Sequence, residues 1–325
     1  RHTLLPTRNL IGELRNVETL NIEILAGITV ALVLVPQSMA YAQFGGLPAY
    51  YGVYASVLPP MGAGIVGSAR GLSTGPVAVV SLMTAASLEP IAALGTDGFL
   101  AYATMLAVMV GVFQLTLGVF RLGVLVDFLS HPVVLGFTAA GAIIIGTSQG
   151  GKVVGIGVEK SAHHYETVYR MIQEALSNTH WPTLIISILS FVLMVGLRKW
   201  RPTLPVILIA VVITTIISKI MGYAEFGGAI VGDIPKGLPH FSIPEFNFEI
   251  VMQLATSAVF ISLVGFMEAI SIAKAMAART RNRLDANQEL VGQGLSNITS
   301  GLFSGYPVSG SFSRSAVNIN AGART

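Results

Sequence analysis

Hydrophobic residues occur along most of this 325-residue chain in long runs, and polar residues are largely confined to the segments between those runs. A membrane-spanning helix needs about 20 mostly apolar residues. The runs do not alternate with a period of two, so they indicate helices rather than the strands of a transmembrane barrel. The pattern predicts full spans at residues 23–42, 48–66, 99–120, 124–150, 182–197, 205–222, 250–277 and 287–304.

Two further apolar runs, at residues 76–88 and 312–321, are too short to cross a membrane. Each follows a small, polar, glycine-containing stretch, which starts at Gly71 in the first case and at Ser309 in the second. Interrupted helices in the two halves of a transporter are typical of its binding site. Together with the eight spans, these runs predict ten membrane segments, two of them half-length.

The residues that open the two short runs suit helix N-termini. Pro76 fits the first turn of a helix, and Ser309, Ser311 and Ser313 are all suitable N-cap residues. If every segment crosses, the two N-termini face each other near the middle of the membrane. Their free N–H groups and dipoles then form an anion site that needs no metal. The alternative is a pair of short helices with ordinary packing kinks.

Two charged residues lie at membrane depth. Burying the charge of Arg314 there costs free energy, and such residues are usually functional, so we expect Arg314 to complete the anion site. The alternative is an arginine that snorkels to the surface. Glu268 is the one carboxylate well inside a long apolar run. Carboxylates at this depth belong to proton relays, so Glu268 is predicted to carry a co-transported proton. Its alternative role is a fixed ion pair with Arg314.

Gln37 and Tyr41 are four residues apart in the first span and share one helix face. An amide and a phenol can both donate hydrogen bonds to an anion without adding charge. The alternative is a hydrogen bond between helices, which is common in membrane bundles.

Composition narrows the class of protein further. Only 11% of the residues are charged, against about 25% in a soluble domain, and there is no cysteine. A disulfide scaffold and a zinc-thiolate site are therefore excluded. No metal-ligand or nucleophile pattern is present, so we predict no enzyme, no catalytic residue, no cofactor, no metal and no nucleic-acid partner.

The net charge is +3, and the positions of the basic residues relative to the predicted spans indicate the orientation of the chain. Most Lys and Arg residues lie on flanks that are cytoplasmic if the N-terminus is cytoplasmic, which is the favoured orientation. The polar stretches 152–181 and 223–249 then become outer loops. A glycine pattern from Gly62 to Gly67 follows a membrane span rather than a strand, so it predicts close helix packing and not a nucleotide site. The glycosylation sequon at Asn297 is expected to be buried and unused.

Five segments, in this order along the chain, resemble the SulP family of anion permeases. They are Pro36-Gln-Ser-Met-Ala-Tyr-Ala42 with Gly46-Leu-Pro-Ala-Tyr-Tyr-Gly-Val-Tyr54, Gly67-Ser-Ala-Arg-Gly-Leu-Ser-Thr-Gly-Pro-Val-Ala78, Met267-Glu-Ala-Ile-Ser-Ile-Ala-Lys274, Asp285-Ala-Asn-Gln-Glu-Leu290 and Gly310-Ser-Phe-Ser-Arg-Ser-Ala-Val317.

The resemblance implies an all-α polytopic membrane protein with two inverted repeats of seven helices, arranged as a core and a gate domain. It also implies homodimers and an elevator-like movement of core against gate. The anion is expected between the family's third and tenth helices. By motif matching, the residues around it are Gln37, Tyr41, Pro76, Val77, Ala78, Ser311, Phe312, Ser313 and Arg314.

The resemblance also divides the chain. We expect a cytoplasmic segment at 1–22, first-repeat core helices at 23–120, first-repeat gate helices with outer loops at 121–249, and second-repeat core helices at 250–325. Family members usually continue through four more helices and a cytoplasmic STAS domain. The chain is therefore expected to stop after about ten membrane segments, part-way through the second repeat.

These arguments predict a secondary active transporter of a small anion in the plasma membrane, or the inner membrane of a bacterium. A Glu at the place of Glu268 resembles the plant sulfate/proton symporters, so sulfate coupled to protons is preferred. Alternatives are a bicarbonate or dicarboxylate carrier and an anion-gated channel or motor-type protein. Apart from the lipid bilayer, the expected partners are the anion, protons and a second copy of the chain.

Overall fold

The computed structural model describes residues 15–123, 149–158, 164–201, 205–232, 234–280 and 284–323, with isolated positions at 12, 136, 139, 140, 142–144, 146 and 147. Helices account for most of these residues. In chain order the elements are α1 (Val17–Phe44), α2 (Ala49–Val57), α3 (Pro59–Val66), β1 (Ser73–Gly75), α4 (Ala78–Leu88), α5 (Asp97–Val119), α6 (Gly150–Val154), α7 (His164–Asn178), α8 (Trp181–Trp200), α9 (Val206–Ile220), α10 (Phe248–Thr280), α11 (Ala286–Leu302), β2 (Ser309–Ser311) and α12 (Phe312–Asn320).

The chain forms two compact units. The first contains residues 1–130 and 235–325, and the second contains residues 131–234. The first unit therefore holds α1–α5, α10–α12 and both strands, and the second holds α6–α9.

The long apolar runs form helices, as predicted. Among the described residues, α1, α5, α8 and α10 are long and apolar enough to cross a membrane. Helices α9 and α11 lie within the predicted spans 205–222 and 287–304, but they have only 15 and 17 residues. The predicted span 124–150 falls almost entirely outside the described residues.

The predicted span 48–66 is wrong in one respect, because the structure divides it into α2 and α3 at Leu58. Pro59 and Pro60 follow directly. A proline nitrogen has no hydrogen to donate, and its ring clashes with the preceding turn, so a continuous helix cannot pass this point.

The half-length runs form short helices, as predicted: α4 has 11 residues and α12 has 9. The purely helical prediction missed the two strands that precede them. Ser73 pairs with Ser311, Thr74 with Gly310 and Gly75 with Ser309 in an antiparallel ladder. Within a membrane every backbone N–H and C=O needs a partner from the protein, and this ladder supplies partners for two non-helical segments.

Small residues allow α5 and α11 to pack closely. A methyl group added at Gly111 of α5 would lie 2.6 Å from the carbonyl oxygen of Gly294 on α11. One added at Gly301 of α11 would lie 2.5 Å from the carbonyl oxygen of Thr104 on α5. Such close approach of backbones is the usual way in which membrane helices gain packing energy.

Glycines also join α3 to α11, which confirms the predicted packing role of the Gly62–Gly67 pattern. A methyl group at Gly292 would lie 2.7 Å from the α-carbon of Gly67, and one at Gly62 would lie 3.2 Å from the backbone nitrogen of Ser296.

The second unit is organised around the start of α8. His180 precedes this helix, and its ring nitrogens lie 2.7 Å from the Thr183 hydroxyl and 2.7 Å from the Phe226 carbonyl oxygen. The hydroxyls of Thr183 and Tyr223 are also 2.7 Å apart. Helix α7, within the polar stretch 152–181, has no buried residue.

The glycine contacts generate a stability prediction. Gly111→Ala should lower the melting temperature of the purified full-length protein, because its new methyl group meets backbone atoms that cannot move aside; we expect a cost of about 1–3 kcal/mol. Gly27→Ala in α1 is the control, since no atom lies within 4 Å of the added methyl group. Equal melting temperatures for the two variants would contradict the packing described here.

Candidate functional site

Helices α4 and α12 begin at opposite ends of the strand pair. Because the strands are antiparallel, the helices leave them in opposite directions and their N-termini face each other across the pair. Val77 and Ser311 are the N-cap residues, and neither helix has a side-chain cap. The first N–H groups of each helix therefore remain available, and they are suited to bind an anion.

Arg314 lies in the first turn of α12 and is fully buried. Its Nη1 donates to the Pro76 carbonyl oxygen at 2.7 Å, and a longer contact of 3.4 Å joins it to Oε1 of Gln37. Its Nε lies 3.4 Å from the Ser73 hydroxyl. These bonds fix the guanidinium between the first residue of β1, the link from β1 to α4, and α1.

One nitrogen of this guanidinium, Nη2, is buried and has no hydrogen-bond partner. A buried charged donor without a partner is costly, so an isolated one points to a missing acceptor. Glycine at position 75 avoids crowding this atom, because a methyl group there would lie 3.2 Å from Nη2.

Glu268 lies on α10, the helix that packs against β2. Ser309 donates to the Gly265 carbonyl oxygen at 2.6 Å, and a methyl group at Gly310 would lie 3.1 Å from the α-carbon of Ala269. The carboxylate and Arg314 attract each other electrostatically. However, Oε2 of Glu268 has no hydrogen-bond partner, just as Nη2 of Arg314 has none. Those two atoms therefore form no hydrogen bond to each other.

Helix α1 also contributes to the site. Nε2 of Gln37 donates to the Tyr41 hydroxyl at 2.9 Å and to the Ser313 hydroxyl at 3.2 Å. The hydroxyls of Ser311 and Ser313 are 3.4 Å apart. Gln37 thus forms hydrogen bonds with Tyr41 and with Ser313 of α12. The inter-helix hydrogen bond given as the alternative is therefore present, on the helix face that was predicted to bind the anion.

The structure brings the predicted residues together at the two helix N-termini. Pro76 supplies a carbonyl to Arg314, and Val77 and Ala78 are the N-cap and the first residue of α4. Phe312, the first residue of α12, is 55% exposed. The donors gathered here are N–H, O–H and guanidinium groups, which suit an anion; their role as anion ligands remains a prediction.

Two features escaped the sequence analysis. Ser73 contacts Arg314 from β1, although nothing in its local pattern marks it. The burial of a second carboxylate was also missed, because Glu289 on α11 is 2% exposed and so more deeply buried than Glu268. The signal was the spacing of four residues from Glu289 to Gln293 and again from Gln293 to Asn297, which puts the three polar side chains on one face of the helix.

A sequence model of the sulfate permease family matches residues 20–325. The chain belongs to this family. The resemblance drawn from its motifs is therefore confirmed.

Curated relatives of this sulfate permease family member include plant and bacterial proteins. The chain is 40% identical to the chloroplastic sulfate transporter 4.1 of Arabidopsis thaliana over 99% of this chain and 48% of the relative. It is 38% identical to a probable sulfate transporter of Mycobacterium tuberculosis over 93% of this chain and 54% of the relative. The chain thus spans about half the length of the curated relatives that it matches.

Solved structures confirm the transporter fold. The transmembrane domain of the cyanobacterial bicarbonate transporter BicA matches with a TM-score of 0.82 and 27% identity, over 95% of this chain and 79% of that one. Murine Slc26a9, an anion transporter in its inward-facing state, matches with a TM-score of 0.91 and 22% identity, over 99% and 56% respectively.

The geometry predicts a strong effect of Arg314→Ala. Loss of the guanidinium removes the free donor and its charge, so the dissociation constant for sulfate of the full-length protein should rise about 30-fold or more, with its oligomeric state unchanged. Calorimetric titration and size-exclusion chromatography measure both quantities. Arg198→Ala, which removes an exposed arginine at the end of α8, should leave affinity unchanged. Wild-type affinity in the Arg314 variant would remove this residue from the site.

Proposed function

We propose that this chain is the anion-binding part of a secondary active transporter that carries sulfate together with protons. The observation that carries the proposal is the unpartnered Nη2 of buried Arg314 between two uncapped helix N-termini. The names of the curated relatives, sulfate transporters of a plant and a bacterium, support sulfate as the substrate.

The donor set suits a small oxyanion. Each helix N-terminus contributes about half a positive charge, and Arg314 adds a full one. Gln37, Tyr41 and Ser313 add neutral donors, which orient an oxygen atom without adding charge. A tetrahedral dianion can thus receive hydrogen bonds from several directions at once.

Glu268 supplies the proposed coupling to protons. A bound dianion adds negative charge near Glu268 and compensates the positive charge of Arg314. A proton on Glu268 relieves the repulsion between carboxylate and substrate. Proton binding and anion binding therefore strengthen each other, and this coupling is necessarily reciprocal.

Transport further requires that the site face each side of the membrane in turn. We assign α1–α5 and α10–α12 to a core that carries the anion, and the helices within 121–249 to a gate, with elevator-like movement of core against gate. In this proposal the protein works as a homodimer in the lipid bilayer of a plasma or bacterial inner membrane. Its N-terminus is cytoplasmic, and it has no enzymatic activity.

Bicarbonate is the second candidate substrate, because one matched structure at 27% identity is that of a bicarbonate transporter. Helix N-termini select charge and size rather than one oxyanion, so both substrates are compatible with the donors described.

Uptake into proteoliposomes decides between these substrates. We expect the full-length protein to accumulate labelled sulfate, and to do so faster and to a higher level with an inward proton gradient. Bicarbonate and fumarate, tested in the same vesicles, should accumulate less. Accumulation of bicarbonate in place of sulfate would select the second candidate, and anion-dependent current without accumulation would indicate a channel.

Glu268→Gln tests the coupling residue separately. Glutamine keeps the size of the side chain but cannot exchange a proton, so the variant should bind sulfate and lose acceleration by the proton gradient. Glu249→Gln is the matched control, since Glu249 lies exposed at the start of the same helix. Gradient-driven accumulation that persists in the Glu268 variant would remove this residue from the coupling.

A further inference from the structure

Helix α11 carries a row of four polar side chains, Glu289, Gln293, Asn297 and Ser300, each about one turn from the next. All four are fully buried, between 0 and 2% exposed. Spacings of four, four and three residues put them on one face of the helix. None of them belongs to the anion site proposed above, yet their partners include residues of both segments that lead into β1 and β2.

The first half of the row binds the segment that contains β1. Oε2 of Glu289 accepts hydrogen bonds from the backbone N–H groups of Ser68 and Ala69, at 3.0 and 2.9 Å. Nε2 of Gln293 donates to Oε1 of Glu289 and to the hydroxyl of Thr74, both at 2.9 Å. Thr74 is the central residue of β1.

The second half binds the segment that leads to β2. Asn297 makes two hydrogen bonds with the backbone of Val308: its Oδ1 accepts from the N–H at 2.8 Å, and its Nδ2 donates to the C=O at 3.0 Å. One turn later the Ser300 hydroxyl donates to the Tyr306 carbonyl oxygen at 2.7 Å. Val308 immediately precedes β2.

The strand pair needs such support. It has only three residues on each strand, and two short strands are marginal by themselves. The hydrogen bonds from α11 are made in a water-excluded interior, where each bond is stronger than in water and a lost partner is costly. A single rigid helix face therefore holds both strands at a fixed separation.

We propose that this row on α11 sets the distance between the N-termini of α4 and α12, and so sets the affinity of the anion site. Its members are positioning residues, because they act through Thr74, Val308 and Tyr306 and not by contact with the anion. This inference rests on the proposed function for its affinity readout, but the geometry that it describes does not depend on which anion binds.

Two neighbouring serines provide a matched test. Ser296 and Ser300 are both fully buried on α11, and each donates one short hydrogen bond to a backbone carbonyl oxygen. The partner of Ser296 is Pro59 at the start of α3, whereas the partner of Ser300 leads to β2. We expect Ser300→Ala to raise the dissociation constant for sulfate about fivefold and Ser296→Ala to leave it within about twofold, although both lose one buried hydrogen bond.

A double-mutant cycle tests the link to β1. Gln293→Met and Thr74→Val keep approximate volume and both remove the hydrogen bond between Gln293 and Thr74, while Gln293→Met also removes the one to Glu289. Each should weaken sulfate binding by about tenfold, and the double variant should be little weaker than either single one, because both act through the same contact. Additive effects would show that Gln293 does not act through Thr74.

Pulsed electron paramagnetic resonance gives a readout that is independent of the anion. Spin labels attached after Ala86→Cys on α4 and Asn320→Cys on α12, both exposed positions, report the distance between the helices. In the full-length protein without anion, Gln293→Met should broaden this distance distribution and Ser296→Ala should not. If the wild type binds no sulfate, the proposed function fails while this measurement still tests the positioning role. An unchanged distribution in the Gln293 variant would overturn the inference.

Discussion

A helix that begins inside a membrane leaves its first N–H groups without partners in a medium that offers no water. Two helices of this chain, α4 and α12, begin in this way, next to non-helical backbone. The free-energy cost of leaving those N–H groups without partners accounts for the arrangement around them. The backbone that leads to each helix is paired in a two-stranded ladder, polar side chains of α11 bind β1 and the segment that leads into β2, and we propose that the remaining N–H groups donate to an anion.

The same cost applies to the buried side chain of Arg314. Its guanidinium is fully buried, and the carbonyl of Pro76, which belongs to the opposite half of the site, accepts one of its hydrogen bonds. The arginine therefore ties the two halves together with some of its donors and leaves Nη2 for a ligand. Glu268 attracts this charge without a hydrogen bond between the two unpartnered atoms, and in the proposed function Arg314 would be an electrostatic partner of both the substrate and the protonatable carboxylate.

Much of this arrangement could be predicted from the sequence, because it depends on local patterns. Apolar runs of sufficient length identified the long helices, and the short runs after Gly71 and Ser309 identified the two interrupted ones. Arg314 was found because charge at membrane depth is rare. The break at Leu58 was missed because apolar composition continued across Pro59 and Pro60. Ser73 and the pairing of β1 with β2 were missed because three-residue strands carry no periodic signal, and their partners are more than 230 residues apart in the sequence.

The polar row on α11 shows why burial is difficult to read from composition. Glu289, Gln293 and Asn297 make that helix less apolar than its neighbours, which is typical of a helix near a surface. The structure instead buries them, because each has a hydrogen-bond partner on a segment that leads to or contains β1 or β2. The burial of Asn297 could be predicted, but only because this residue lies within a predicted span. Its hydrogen bonds to Val308 could not be predicted.

The central claim is that an anion binds between the N-termini of α4 and α12 and accepts a hydrogen bond from Nη2 of Arg314. A crystal structure of the full-length protein with selenate, which has the shape and charge of sulfate, tests it through the anomalous scattering of selenium. We expect one selenium peak between the two N-termini, with a selenate oxygen about 2.7–3.2 Å from Nη2. A selenium peak elsewhere, with Nη2 bound to Glu268 in its place, would contradict the account.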